Sequence, residues 1–166
     1  MIFPETLREK AVRLLELCRE RRLRLSVAES CTGGLLAALL TDIPGSSDVF
    51  VGGAVTYSNK IKHHILGVSS ESLSAYGSVS PQVAREMAYG ACTHFGTEVS
   101  AAITGIAGPD GGSPEKPVGT VHIAASLQGE TLPRHCLFSG TRQEVRMQSV
   151  ETAIDMMTGM LLGAEI

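Results

Sequence analysis

One eight-residue segment, Val27–Gly34, joins two different apolar periodicities. Up to its first residue, apolar side chains alternate as in a β-strand (Leu23, Leu25 and Val27). After it, four leucines repeat with helical spacing over residues 35–40. The segment itself reads Val-Ala-Glu-Ser-Cys-Thr-Gly-Gly. A strand that turns directly into a helix through Ser, Thr and Gly directs hydroxyls and unpaired amide N–H groups at one place. We therefore expect a strand–turn–helix unit whose turn can bind an anion or a developing oxyanion.

The remaining periodicities alternate helices and strands along the chain. They predict helices over 5–22, from the turn to about Asp42, 59–66, about 70–76 and 81–95, with strands over 23–28, 48–57, 98–104, 120–128 and 132–138. Gly129-Glu130 is typical of a hairpin turn, and Gly52-Gly53 of a bulge or close backbone approach. Thr141 with Glu144 predicts a capping box on a last helix. The order predicts one three-layer α/β/α domain over 1–166, with a mixed, mostly parallel sheet and a C-terminal β-hairpin plus helix.

Composition excludes several classes of protein. The net charge of −3, an aromatic content of 4% and the lack of Trp argue against nucleic-acid binding. Four widely spaced cysteines form no C-x-x-C pair, which predicts free thiols. The N-terminus has no signal-peptide pattern, and no apolar run approaches the roughly 20 residues that span a bilayer. We expect a soluble, cytoplasmic protein without a membrane partner.

In a sheet of this kind ligands bind beyond the carboxyl ends of the parallel strands, so the segments that follow strands 23–28, 48–57 and 98–104 are expected to converge. The first contains Ser30, Cys31 and Thr32. It is either an ordinary helix cap or a nucleophile with an oxyanion hole formed by the free amides. Cys31 is a rival nucleophile to Ser30, since a helix N-terminus lowers a thiol's pKa.

The second segment runs from Tyr57 through Asn59, Lys60 and Lys62. A solvated basic helix turn is the simpler interpretation. The alternative is that one lysine, partly desolvated, is a general base, with the tyrosine relaying the proton. Ser–Lys pairs are a known substitute for Ser–His–Asp.

The third segment is a glycine-rich loop from Thr104 to Gly119 with Asp110 as its carboxylate inside the Gly-rich run, and its length favours ligand binding. It matches neither common nucleotide-phosphate motif. Arg142 and Arg146 begin the last helix, where the helix dipole disfavours cations, so they are either solvent-facing or a clamp for phosphate or carboxylate. The histidines and carboxylates show no metal-binding spacing, and no metal is expected.

Together these segments resemble the C-terminal domain of the CinA (competence-damage-inducible) family, which includes nicotinamide-nucleotide amidases. The resemblance spans about residues 7–162. The matching motifs are Ala28-Glu29-Ser30-Cys31-Thr32-Gly33-Gly34, Tyr57-Ser58-Asn59 with Lys62, Leu66-Gly67-Val68, Ser78-Val79-Ser80, Thr104-Gly105-Ile106-Ala107-Gly108-Pro109, Lys116-Pro117-Val118-Gly119-Thr120, and Phe138, Gly140, Arg142 and Arg146.

The resemblance implies hydrolysis of the carboxamide of nicotinamide mononucleotide to nicotinate mononucleotide and ammonia, without a metal or other cofactor. It implies Ser30 as nucleophile, Lys62 as base and Tyr57 as proton relay. The implied substrate-binding residues are Cys31, Thr32, Gly33, Asn59, Thr104, Gly105, Gly108 and Arg142. The phosphate is expected on the Gly105–Gly108 loop or on Arg142.

Two alternatives stay open at this point. One is a catalytically silent nucleotide-binding or regulatory module on the same fold. The other is an amidase that uses Cys31. Lys60 stands where relatives often have an acidic residue, and the chain resembles the stand-alone form, so no activity of the molybdopterin-binding-like domain of many relatives is expected. The apolar segment Met156–Leu162 suggests a homodimer or higher homo-oligomer.

Overall fold

The computed structural model describes residues 2–164; Met1, Glu165 and Ile166, the ends of the predicted 1–166 domain, lie outside the described residues. The elements are α1 Glu5–Glu20, β1 Leu25–Glu29, α2 Leu35–Thr41, a 3-10 turn Ser46–Asp48, β2 Phe50–Val55, α3 Asn59–Leu66, α4 Ser70–Tyr76, α5 Pro81–Phe95, β3 Val99–Gly105, β4 Thr120–Leu127, β5 Glu130–Leu137 and α6 Arg142–Leu161. No helix among residues 2–164 is long and apolar enough to cross a membrane.

The five strands form one sheet in the order β2-β1-β3-β4-β5. β1 pairs in parallel with β2 and β3, and β4 pairs antiparallel with β3 and β5. Four strands therefore point the same way and β4 runs against them, as the mixed, mostly parallel prediction requires. Leu25 lies opposite Phe50 but Ser26 lies opposite Gly52, so the predicted irregularity in β2 is a bulge at Val51.

Helices cover both faces of the sheet, which confirms the three-layer prediction. On one face, the larger core cluster unites apolar residues of α1, α2 and α6 with Val27, Ala101 and Ile123 of the sheet. On the other face, α3 and α5 pack on Ala28 and its neighbours. The alternation of adjacent strand residues between these clusters follows from the period of two in a β-strand.

The sheet face under α5 is built from small residues. Ala28, Ala102 and Ala124 lie side by side on β1, β3 and β4. Two residues nearer the N-terminal ends of β1 and β3, the side chains of Ser26, Ser100 and Ser126 form a second row. Ser100 Oγ donates to the Ala88 carbonyl of α5 at 2.6 Å. A Cβ on Gly90 would collide with the Leu66 carbonyl. These small side chains let α5 approach the sheet closely and hold α3 over the ends of β1 and β2.

Two sequence predictions need correction. The hairpin turn is Gln128-Gly129 rather than Gly129-Glu130. Gln128 and Gly129 both take left-handed backbone, and Leu127 and Glu130 on either side of them pair with each other. In the segment Met156–Leu162, Met156, Met157 and Leu161 are buried in the core, whereas Leu162 is 56% exposed. Most of the apolar surface that suggested a dimer contact is therefore used inside the domain, and the homodimer or higher homo-oligomer stays a prediction.

The N-terminus of α2 is capped by a carboxylate from the preceding strand. Gly34, which precedes the helix, offers no side-chain cap. Instead the buried Glu29 accepts from the Leu36 N–H at 2.9 Å and the Ala37 N–H at 3.0 Å. The negative charge also opposes the positive end of the helix dipole. Glu29 thereby fixes the distance between the end of β1 and the start of α2.

We expect Glu29→Gln to lower the free energy of unfolding by about 1–3 kcal/mol, because the amide nitrogen cannot accept one of the two buried N–H groups. Glu16→Gln is the matched control, since Glu16 is exposed and has no hydrogen bond or ion pair within residues 2–164. The control is expected to change stability by less than about 0.5 kcal/mol. Urea unfolding measures both, and equal losses would contradict the capping role.

Candidate active site

The structure brings Ser30 and Lys62 together. Ser30 follows β1 and extends its pairing, since its N–H donates to the Ile103 carbonyl at 2.9 Å. Lys62 lies in the first turn of α3, a helix capped by Ser58 Oγ, which accepts from the Ile61 N–H at 3.2 Å. Although the two residues are 32 positions apart, Lys62 Nζ lies 3.0 Å from Ser30 Oγ. The predicted pair is a direct contact.

The amine of Lys62 is buried, with only 1% of the residue exposed. Besides Ser30, Nζ contacts the Thr56 carbonyl at 2.8 Å and the Tyr57 carbonyl at 3.0 Å. Burial lowers the pKa of Lys62 from 10.5 to about 8, because the charged form loses its hydration. In the neutral amine two N–H bonds can point at the carbonyls, which leaves the lone pair facing the Ser30 hydroxyl. This geometry is that of a general base.

The turn after Ser30 presents two amides. Gly33 and Gly34 take left-handed backbone, which L side chains rarely adopt. The Gly33 N–H donates to the Ser30 carbonyl at 3.1 Å and is therefore not free to bind an oxyanion, while Gly33 as a substrate-binding residue stays a prediction. The N–H groups of Cys31 and Thr32 donate to no backbone carbonyl among residues 2–164. They are the available oxyanion donors.

Arg146 holds this turn from behind. Its Nε donates to the Cys31 carbonyl at 3.1 Å and its Nη2 to the Thr32 carbonyl at 2.9 Å. The Cys31 carbonyl shares its peptide group with the Thr32 N–H, so the Arg146 bond directs that N–H toward the other side of the turn. The Cys31 N–H shares its peptide group with the Ser30 carbonyl, which the Gly33 N–H holds. Arg146 acts here as a positioning residue rather than the anion clamp that its place on α6 suggested.

Cys31 is a poor nucleophile in this environment. Its thiol is buried, and burial raises its pKa to about 11, which keeps it protonated at neutral pH. The reactive form of a cysteine is the thiolate. The alternative of a cysteine-dependent site is therefore disfavoured against Ser30.

A pocket of about 210 Å³ opens beside the pair. Its lining residues are Cys31, Tyr57, Gly105, Ile106, Ala107, Gly108, Asp110, Gly111 and Arg142. Neither Ser30 nor Lys62 is among these lining residues, but each adjoins one of them: Ser30, 7% exposed, precedes Cys31 in the chain, and Lys62 Nζ contacts the Tyr57 carbonyl. Arg142 Nη1 donates to the Gly108 carbonyl at 2.6 Å and so ties α6 to the glycine-rich loop. The three segments predicted to converge do so here.

The other predicted site residues lie around the pair with looser contacts. Tyr57 is 64% exposed, and its phenol forms no hydrogen bond with Ser30 or Lys62. Its carbonyl, not its hydroxyl, contacts the amine. Asn59 is exposed in the first turn of α3. Thr104 Oγ1 donates to the Ser78 carbonyl at 2.8 Å, which fixes the loop before α5.

The structure adds residues that sequence reasoning missed. Glu29 caps α2, and Thr56 supplies a carbonyl to Lys62. Thr56 Oγ1 is buried without a partner within residues 2–164, as is Oγ1 of Thr32, which the resemblance already implied as a substrate-binding residue. Glu29 and Thr56 directly precede the predicted site residues Ser30 and Tyr57, and this position is the signal that could have found them. In the same range no cluster of three or more His, Cys, Asp or Glu side chains could hold a metal ion.

Comparison with known proteins was made on both sequence and structure. The chain is 50% identical to a putative competence-damage inducible protein of Clostridium beijerinckii over 143 residues, which cover 86% of this chain and 35% of that protein. It is 46% identical to a CinA-like protein of Citrifermentans bemidjiense over 161 residues, or 97% and 39% of the two chains. The chain thus spans between a third and two fifths of the length of these curated relatives.

Solved structures of proteins with similar names match the fold of this chain. The competence/damage inducible protein CihA of Agrobacterium tumefaciens matches with a TM-score of 0.90 and 45% identity, covering 93% of this chain and 94% of that one. A CinA superfamily protein of Klebsiella pneumoniae matches with a TM-score of 0.91 and 34% identity, covering 95% and 98%. The sequence model of the CinA C-terminal domain matches residues 6–161. The chain therefore belongs to the CinA C-terminal domain family.

Proposed function

We propose that this domain is an amidase that hydrolyses the carboxamide of nicotinamide mononucleotide to nicotinate mononucleotide and ammonia. The observation that carries the proposal is the buried contact of Lys62 Nζ with Ser30 Oγ at 3.0 Å. A neutral amine beside a serine hydroxyl is a nucleophile–base pair that needs no metal. The substrate comes from the family resemblance, and the pocket beside the pair is consistent with it.

In the first half-reaction Ser30 Oγ attacks the amide carbon while Lys62 Nζ accepts the hydroxyl proton. The oxygen of the carboxamide becomes an oxyanion, which the N–H groups of Cys31 and Thr32 stabilise. Lys62 then passes its proton to the amide nitrogen, the C–N bond breaks, and ammonia leaves. Ser30 is left as a nicotinoyl ester.

In the second half-reaction water attacks the ester carbon. Lys62 accepts a proton from this water and returns it to Ser30 Oγ as the C–O bond to the serine breaks. The acid product leaves and the neutral amine is regenerated. The same two amides bind the second oxyanion, so no further group is needed for the chemistry.

Binding energy from the nucleotide positions the amide over Ser30. The exposed ring of Tyr57 forms one wall of the pocket and offers an apolar face to the pyridine ring. Arg142, another lining residue, carries the positive charge that a remote phosphate needs, and we assign the phosphate to it. Asp110 lines the same pocket and its charge repels a phosphate.

Ammonia release from nicotinamide mononucleotide by purified variants tests the proposal. We expect Ser30→Ala and Lys62→Ala to lose at least about a thousandfold in kcat, because each removes a member of the nucleophile–base pair. Cys31→Ala is the matched control: it deletes the neighbouring thiol and leaves the backbone amide, and is expected to stay within about fivefold of wild type.

The outcomes separate the open alternatives. No turnover by pure wild-type protein would favour the silent nucleotide-binding module. A loss confined to the Cys31 variant would move the nucleophile by one residue. Activity that is unchanged in Ser30→Ala would exclude the proposed mechanism while leaving the amidase activity in place.

The pH dependence follows from the Lys62 amine. The base must be neutral, and its pKa is about 8. We therefore expect kcat/KM to fall about tenfold for each pH unit below about 8 and to level off above it. A profile that is flat between about pH 6 and 9 would show that another group accepts the serine proton.

Stability is linked to the same amine. The folded-state pKa of about 8 lies below the ordinary value of 10.5, so the unfolded state binds more protons between these values and stability rises with pH through this window. Relative to Lys62→Met, the free energy of unfolding of the wild type is expected to rise by on the order of 3 kcal/mol from about pH 7.5 to 10.5. Urea titrations of both proteins measure it, and parallel curves would contradict the burial of the amine.

A further inference from the structure

One carboxylate lines the pocket that adjoins Ser30. Among the lining residues of this pocket, Asp110 and Arg142 are the two whose side chains are charged at neutral pH. The charge of Asp110 repels a phosphate and so weakens the binding of a ligand that is only an anion. A carboxylate strengthens binding here when the ligand also carries a positive charge. The pocket therefore has the charge pattern of a site for a ligand with both signs of charge.

The structure of the glycine-rich loop gives no other reason for Asp110. In turns, an aspartate usually accepts a hydrogen bond from a nearby backbone N–H. Asp110 is exposed, and within residues 2–164 its carboxylate has no hydrogen bond and no ion pair. Other side chains hold the loop: Ser113 Oγ accepts from the Lys116 N–H at 3.0 Å, and Lys116 Nζ donates to the Tyr76 carbonyl at 2.7 Å. The charge of Asp110 is therefore free to act on a ligand.

An aromatic ring lines the same pocket. Tyr57 is 64% exposed, and its phenol forms no hydrogen bond with Ser30 or Lys62. The face of an aromatic ring carries partial negative charge and attracts a cation, and it also stacks on another aromatic ring. A carboxylate and an aromatic face that border one pocket are together suited to a ring that is both aromatic and positively charged.

The positive side chains extend away from Asp110. A second pocket, of about 310 Å³, shares Arg142 with the first one and is also lined by Arg146 and Gln143. Its remaining lining residues within 2–164 are apolar, and Asp110 is not among them. Across the two pockets the carboxylate thus borders only the one that adjoins Ser30, whereas an arginine lines both. A phosphate on Arg142 and a positive group near Asp110 are compatible with this distribution.

Nicotinamide mononucleotide has both charges. Its pyridinium nitrogen is bonded to the ribose and is positive at every pH, and its phosphate is attached to the other end of the ribose. We propose that Asp110 and the ring of Tyr57 recognise the positive charge of the pyridinium ring, so that the site selects an N-substituted pyridinium carboxamide over a neutral carboxamide of the same shape. The inference rests on the proposed function, because it places the carboxamide-bearing ring in the pocket that adjoins Ser30.

The other charges of the site make such a counter-charge useful. Lys62, whose amine has a pKa of about 8 and is mostly protonated at neutral pH, adjoins the pocket, and Arg142 lines it. Both repel a cationic ring, and Asp110 offsets that repulsion. The ring charge is the same before and during the attack on the carboxamide. We therefore expect Asp110→Asn to raise KM about fivefold and to leave kcat within about twofold.

A matched pair of ligands tests the inference by binding alone. Nicotinamide mononucleotide and its reduced 1,4-dihydro form share the carboxamide, the ribose and the phosphate, but only the oxidised form has a positive ring. Calorimetry on Ser30→Ala protein measures the affinity for each ligand without turnover. We expect the oxidised form to bind about tenfold more tightly, and Asp110→Asn in this background to weaken it about fivefold while the reduced form stays within about twofold. The preference is expected to shrink between about 0.02 M and about 0.5 M salt, because exposed charges are screened.

Three variants are matched to Asp110→Asn in the same background. Glu115→Gln removes an exposed carboxylate of the same loop that does not line the pocket, and is expected to leave both affinities within about twofold. Tyr57→Phe keeps the aromatic face and is expected to keep the preference for the oxidised form. Tyr57→Leu removes the face and is expected to weaken the oxidised form more than the reduced one.

The inference is overturned if Asp110→Asn weakens both ligands by the same factor or weakens neither, or if Ser30→Ala protein binds neither of them. Ammonia release by the wild type is a separate readout for the proposed function. A preference for the oxidised form that depends on Asp110, in a protein that releases no ammonia, would support charge recognition and reject the amidase. Ammonia release with equal affinities for the two ligands would reject charge recognition and leave the amidase in place.

Discussion

The structure is organised around an amine that is kept out of water. Lys62 Nζ is held by two carbonyls at the end of β2 and by Ser30 at the end of β1. An ammonium group in such a position is destabilised, and the neutral form that results is the one that can accept a proton. The arrangement depends on three elements in register: two parallel strands that end side by side, and a helix whose first turn lies over them.

The turn between β1 and α2, which begins at Ser30, is held rigid from both sides. Glu29 fixes α2 through two of its amides, and Arg146 fixes the carbonyls of Cys31 and Thr32. Neither interaction uses a group that the chemistry needs. Arg146 therefore fixes the Thr32 N–H, and the bond from the Gly33 N–H to the Ser30 carbonyl fixes the Cys31 N–H. In the proposed reaction these amides need no reorganisation when negative charge develops on the substrate.

Local signals explain what the sequence could predict. α3 was predicted as Asn59–Leu66 and has these bounds, because Ser58 caps its first turn and Gly67 ends it in left-handed backbone. Contacts between distant segments could not be predicted. The Arg146 bonds span 114 and 115 residues, and the pattern alone suggested an anion clamp. The hairpin turn shifted by one residue because Gln128 adopts a left-handed conformation that favours glycine or asparagine.

The distribution of unsatisfied polar atoms also points to the end of the sheet. Within residues 2–164 four buried side-chain atoms have no partner, and three of them belong to Thr32, Thr56 and His122. Thr56 lies next to Ser30 across the β1–β2 pairing, and Thr32 follows Ser30 by two residues. His122 lies two strands from Ser30, on β4, where it pairs with Thr104 of β3. Since each such atom lowers stability, their concentration around one serine is not what selection for stability alone produces. It fits the proposal of a ligand site at this end of the sheet.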